Sequence, residues 1–205
     1  LATYLIDLSP DAMRQRLGDA LSVYVDAMRY PRGTEDQRAS MWLEHTRRRG
    51  WKAVAAVEVD VAEVDADPAR RGEPDQDFSG APLLGVAYGY CGAPDQWWQQ
   101  QVVAGLRRAG RSATEISALM NSYFELTELH INPPAQGRGL GEALTRRLLA
   151  GRAEANVLLS TPEINGEANR AWRLYRRLGF TDVIRGYHFA GDPRAFAILG
   201  RPLPL

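Results

Sequence analysis

The stretch Gln136-Gly137-Arg138-Gly139-Leu140-Gly141 is where this chain could hold a charged ligand. Its three glycines fall at alternate positions, between a strand-like run ending at Ile131 and a helix-like run opening at Leu140. The first amides of a helix have no acceptor inside it and carry the positive end of its dipole. Glycine lets a phosphate approach those amides with no Cβ in the way. Arg138 adds a permanent cation whose guanidinium can fork onto phosphate oxygens. The chemistry implied is a pyrophosphate cradle. Its spacing is G-x-G-x-G, not the G-x-G-x-x-G of dinucleotide folds, and no G-K-[ST] follows as a P-loop needs. Two carboxylates, Glu125 and Glu128, stand on the strand that leads into the turn.

The elements around this turn must position it. Tyr123 to Ile131 is rich in strand-forming residues, and Asn132-Pro133-Pro134 stops it, because proline lacks a ladder donor. Leu140, Ala143, Leu144 and Leu148 then recur at helical spacing. Further on, Glu167 opens a second helix with Ala168, Ala171, Trp172, Tyr175 and Leu178 on its inward face, and Gly179 closes it.

The two blocks together resemble a known family. Gln136, Gly139 and Gly141 fill the fixed positions of the [QR]-x-x-G-x-[GA] acyl-CoA signature of GNAT-superfamily N-acetyltransferases. Ala171 to Phe180 is similar to that family's A-x-x-L-Y-x-x-x-G-F helix. The resemblance covers about Tyr123 to Phe180, and the first half matches only in its coarse order of strands and helices. It implies an α/β fold in which helices flank a twisted mixed sheet of six to seven strands. It also implies direct transfer of an acetyl group from acetyl-CoA, as cosubstrate, to a primary amine of a small molecule or peptide.

Transfer of this kind needs a neutral amine, although a lysine-like amine has a pKa of ~10.4. It needs donors at the carbonyl oxygen and an acid for the leaving thiolate. By resemblance, Tyr175 is the acid. Glu125 falls where some relatives keep a catalytic glutamate and is preferred as base; Glu128 is the alternative and Glu163 a third candidate. Strand alternation puts Glu125 and Glu128 on opposite faces, a parity that a bulge would change. Each carboxylate could equally be paired with an arginine or face water, and ordered water could move the proton instead. His130 and Ile131 are assigned main-chain contacts to the acyl group and pantetheine, along the edge where the fourth and fifth strands part. Gln136, Gly137, Arg138, Gly139, Leu140 and Gly141 would hold the carrier's diphosphate. Asn169 stands one residue after the position where relatives often place an asparagine on the CoA arm, and Ala168 occupies that position here. Tyr24, Tyr30 and Trp42 are possible acceptor contacts by resemblance, or ordinary packed aromatics.

The remaining sequence sets bounds. At 205 residues, one domain over 1–205 suffices. Residues 92–121 form an insertion with a helix of its own, serving as a lid, a packing embellishment or a homodimer contact. One helix is expected from Pro10 to Met28, another from Thr34 to Arg49, and a charged loop from Asp65 to Ala81. The formal net charge of +0 argues against a nucleic-acid binder. Apolar runs are far short of the ~20 residues of a membrane span. A single cysteine, Cys91, fits a reducing cytoplasm. His45, His130 and His188 are scattered, so no metal is expected. Two other readings stand beside acetyl transfer: a longer acyl group, or an acyl-CoA-binding sensor or scaffold without turnover. Tyr175 argues against the latter, since binding alone needs only the cradle.

Overall fold

The computed structural model describes residues 1–62, 78–164 and 169–205. Most of the acidic loop and the positions Glu167 and Ala168 lie outside the described residues. Among the described residues, seven strands, β1 (Ala2–Leu8), β2 (Lys52–Val59), β3 (Leu83–Cys91), β4 (Tyr123–Ile131), β5 (Asn156–Pro162), β6 (Thr181–Tyr187) and β7 (Phe196–Pro202), form one mixed sheet in the order β1-β2-β3-β4-β5-β7-β6. The chain divides into two compact units, residues 1–88 with 128–148, and residues 89–127 with 149–205.

In the first unit, β1 (Ala2–Leu8) and β2 (Lys52–Val59) pair antiparallel, with Ala2 opposite Val59 and Leu8 opposite Ala53. β2 is buried without interruption from Ala53 to Val57, as an interior strand covered on both faces should be. Ser9 starts the first helix: its side chain accepts the Ala12 amide at 3.0 Å, and Pro10 takes the first helical position. The single helix expected to Met28 is two, α1 (Pro10–Gln15) and α2 (Leu17–Met28), because Arg16 leaves helical geometry at φ −101, ψ 12. The Arg16 guanidinium donates to the carbonyls of Phe78 and Ala81 at 3.3 and 2.6 Å. That anchorage is long-range, and no local pattern announces it. α3 runs Thr34–His45, ending short of the expected Arg49.

β3 spans Leu83–Cys91, and β4 (Tyr123–Ile131) has the bounds expected for it. Asn132 N–H donates to Leu84 O at 2.8 Å, and Pro133–Ala135 forms a single 3-10 turn. α6 (Leu140–Leu149) follows, with Leu140, Leu144 and Leu148 buried. Gly85 makes this packing possible, since a Cβ there would come within 2.7 Å of Ile131 Cδ1 and 3.1 Å of Leu144 Cδ1.

In the second unit, the segment expected to hold one helix holds two, α4 (Trp97–Arg108) and α5 (Ala113–Met120). α5 opens on a capping box in which Ser112 and Glu115 satisfy each other's amides. Val102 and Leu106 of α4 and Ile116 and Met120 of α5 share a core with Leu158, Tyr187, Phe189 and Ile198. β5 (Asn156–Pro162) pairs antiparallel with β7 (Phe196–Pro202), which pairs antiparallel with β6 (Thr181–Tyr187). β4 pairs parallel with β5 only over Tyr123–Asn156, Phe124–Val157 and Glu125–Leu158. α7 (Arg170–Arg177) starts at Asn169, which serves as its N-cap.

Candidate active site

The first unit carries the glycine turn. Gly137 and Gly139 have φ of 82 and 77, a left-handed backbone that glycine adopts without strain. The helical bonds begin with Ala143 N–H to Gly139 O at 3.1 Å, so the amides before it have no acceptor within α6. A Cβ added at Gly139 would meet no protein atom within 4 Å. The turn therefore presents open space in front of helix-start amides, and this fits a diphosphate. Gln136 is turned back, its Nε2 donating to Ile131 O at 3.1 Å, which ties the turn to the end of β4. Arg138 is half-exposed and lies 3.5 Å from a Glu58 carboxylate oxygen, a contact that screening makes weak.

Glu125 is buried and accepts the Thr127 hydroxyl at 2.6 Å, two residues on. Glu128 bonds His130 Nε2, also two residues on. Each carboxylate thus takes its partner from its own face of the strand. In the first unit, the His130 ring packs edge to face on Tyr24, with centroids 4.9 Å apart at 69°. Tyr24 also touches Tyr30 and Trp42, and Trp42 packs on Tyr88. Burial raises the Tyr24 pKa; the Arg38 charge opposes this and the Glu128 charge adds to it. The Glu128–His130 pairing is a site feature that the sequence reading missed. Its only signal was the E-x-H spacing, which puts two side chains on one face of a strand.

His45 is a second buried histidine in this unit, its Nδ1 bonded to Tyr88 Oη at 2.8 Å. Burial first, and then the Arg48 charge, lower its pKa to about 4, against the pull of Glu44 and Glu128. The folded value lies below the unfolded one, so the unfolded chain binds the proton first. Stability present above pH ~6.5 should therefore be lost as pH falls toward about 4. The slope should reach at most ~1.4 kcal/mol per pH unit. Urea unfolding at about pH 7 and about pH 5 measures the loss, and His45→Phe should remove this contribution.

The second unit carries Tyr175, Asn169 and Glu163. Tyr175 is buried on α7, its ring 5.7 Å from that of Phe180. The Asn169 side chain accepts the Trp172 amide at 3.0 Å and donates to Ile164 O at 3.2 Å, so its polar atoms are engaged in starting α7. Glu163 accepts from Arg185 at 2.6 Å and from the Gly186 amide at 3.0 Å. Burial would raise the Glu163 pKa, but these bonds and the Arg185 charge outweigh it and lower it. That makes Glu163 a structural anion and a poor base. Trp172, fully buried, donates to Pro162 O at 3.2 Å and lies under the Arg176 and Arg185 guanidiniums. The Cys91 thiol is free of disulfides and donates to Glu154 at 3.2 Å. Among the described residues, no group of acidic, histidine or cysteine side chains has the makings of a metal site. None of the described helices is long and apolar enough to cross a membrane.

The described residues thus form a mixed sheet with a glycine turn opening α6, and comparison with known proteins shows the class to which this arrangement belongs. Residues 95–182 match the family model of the acetyltransferase (GNAT) domain. The match begins inside the segment read from sequence as an insertion. A GCN5-like protein acetyltransferase of Mycobacterium tuberculosis is 73% identical over 206 residues, covering 100% of both chains. This chain belongs to the GNAT acetyltransferase family and is an acyltransferase. Arabidopsis thaliana NAA60 in complex with acetyl-CoA shares the fold at a TM-score of 0.58 and 17% identity, covering 98% of this chain and 99% of that one. A GNAT-family acetyltransferase from Bacillus cereus does so at 0.55 and 12%, covering 98% of each chain.

Proposed function

We propose that this protein moves the acetyl group of acetyl-CoA to a primary amine, and that the amine belongs to a protein or peptide. The observation that carries the first part is the open, left-handed turn at Gly137 and Gly139 in front of the helix-start amides. The second part is supported by the printed name of the 73% identical relative, a protein acetyltransferase. When bound, the carrier would supply an activated acyl carbon and a thiolate leaving group. The amides of Gly137 to Gly141 would hold its diphosphate, with Arg138 exchanging Glu58 for phosphate oxygens. The main chain of His130 and Ile131 would align the acyl arm. The Tyr175 hydroxyl would give a proton to the departing sulfur, and a β4 carboxylate, Glu125 or Glu128, would serve removal of the amine's proton. The lone cysteine suits a reducing compartment such as the cytoplasm.

The test joins thermal unfolding with thiol release. Acetyl-CoA at 100 times its dissociation constant should stabilise the fold by roughly 2.7 kcal/mol. Lysine-containing peptides should then release free thiol faster than polyamines or small amines. Stabilisation with no release from any amine would replace this reading with a sensor that binds the carrier without turnover.

A further inference from the structure

Five groups that carry or feel charge gather in the first unit: Tyr24 from α2, Arg38 and His45 from α3, and Glu128 and His130 from β4. Glu128 is their centre. It bonds His130 directly, and both Tyr24 and His45 feel its charge. Arg38 stands over the Tyr24 ring, 6.0 Å from its centroid. His45 is committed to Tyr88, whose ring and hydroxyl close β3's side of the group, and is buried. His130 and Glu128 keep 10% and 16% of their side chains exposed.

The contact fixes which ring nitrogen is basic. An ionised carboxylate only accepts hydrogen bonds, so the imidazole nitrogen facing it, Nε2, carries the hydrogen. That leaves the lone pair on Nδ1. The edge-to-face contact with Tyr24 holds the ring in this orientation. A nucleophile's base held by a third group is the arrangement that activates weak nucleophiles generally. Imidazole is also the side chain suited to proton transfer near neutrality. Glu125, by contrast, is 4% exposed.

We propose that His130 and Glu128 form a carboxylate–imidazole dyad in which His130 Nδ1 takes the proton of the acceptor ammonium. Glu128 fixes the tautomer and steadies the imidazolium. The inference rests on the acetyl-transfer reading and makes His130 a catalytic residue and Glu128 a positioning one. The ammonium's N–H bond breaks, and its electron pair forms the new C–N bond as the C–S bond breaks. His130 passes the first proton to solvent. The second proton that the nitrogen loses balances the one the sulfur gains. The same carboxylate beside the Tyr24 ring would favour a cationic acceptor on arrival.

Two readouts test the dyad. In the free wild-type protein, ring nitrogen spectra of His130 should show the Nε2–H tautomer, and Glu128→Gln should abolish that preference. In turnover, His130→Gln should lower kcat/KM for the acceptor by roughly 10²–10⁴-fold. It should also remove the acid limb of the pH profile, while acetyl-CoA still raises the unfolding midpoint. Glu128→Gln should move that limb with a smaller loss. An Nδ1–H ring in the wild type, or a His130→Gln enzyme with wild-type kcat/KM and an unchanged acid limb, overturns the dyad while acetyl transfer stands. A wild-type protein that releases no thiol with any amine overturns both. The ring spectra need no variant and so decide the matter even if His130→Gln does not fold.

Discussion

Gly139→Val should abolish stabilisation by acetyl-CoA. Gly139 has a φ of 77, where a β-branched residue is strained, and the space before it is open. Valine there does two separate things. It costs the free protein about 1–2 kcal/mol of backbone strain, which lowers the midpoint without ligand. It also fills the approach to the helix-start amides, and so removes the roughly 2.7 kcal/mol that a carrier at 100 times its dissociation constant supplies. Scans with and without acetyl-CoA separate the two. A variant whose midpoint drops but still rises by the wild-type increment with ligand would move the diphosphate site elsewhere.

The second large effect is expected at Tyr175. Its ring is part of the buried face of α7 with Trp172 and Leu174, next to Phe180. Phenylalanine keeps that packing and removes only the hydroxyl. If the hydroxyl protonates the leaving sulfur, Tyr175→Phe lowers kcat by about 10²–10⁴-fold and leaves the acetyl-CoA midpoint shift in place. Thiol release under saturating carrier and acceptor measures it. Equal loss of the shift and of turnover would make Tyr175 a packing residue, and unchanged kcat would exclude it as the acid.

Much of this was legible before any coordinates. β4 has the bounds its composition suggests, because its strand-forming run is cut off by Asn132-Pro133. The glycine turn and the α6 stripe follow from local spacing alone. The break at Arg16 was not legible, since its guanidinium is held by carbonyls 62 and 65 residues away in sequence. α5 was written in the sequence as Ser112-x-x-Glu115, a capping box passed over in a segment read as holding one helix. α7 opens at Arg170 because Asn169 supplies the capping oxygen.

At the site, residue types were easier to read than their partnerships. His130 was expected to contribute main chain, and its side chain proves to be bonded to Glu128. Glu163 looked like a candidate base until Arg185, 22 residues on, was found bonded to it. The His45–Tyr88 bond spans 43 residues. Each pairing depends on which strands and helices become neighbours, and a periodicity along the chain does not carry that information.

The most direct measurement is an amide spectrum of the nitrogen-labelled protein titrated with CoA. The amides of Gly137, Gly139 and Gly141 should shift together and saturate at one dissociation constant. Removing the diphosphate from the ligand, by using the pantetheine arm alone, should leave them unmoved. Saturating CoA that shifts other amides while these three stay in place would contradict a carrier held by the glycine turn.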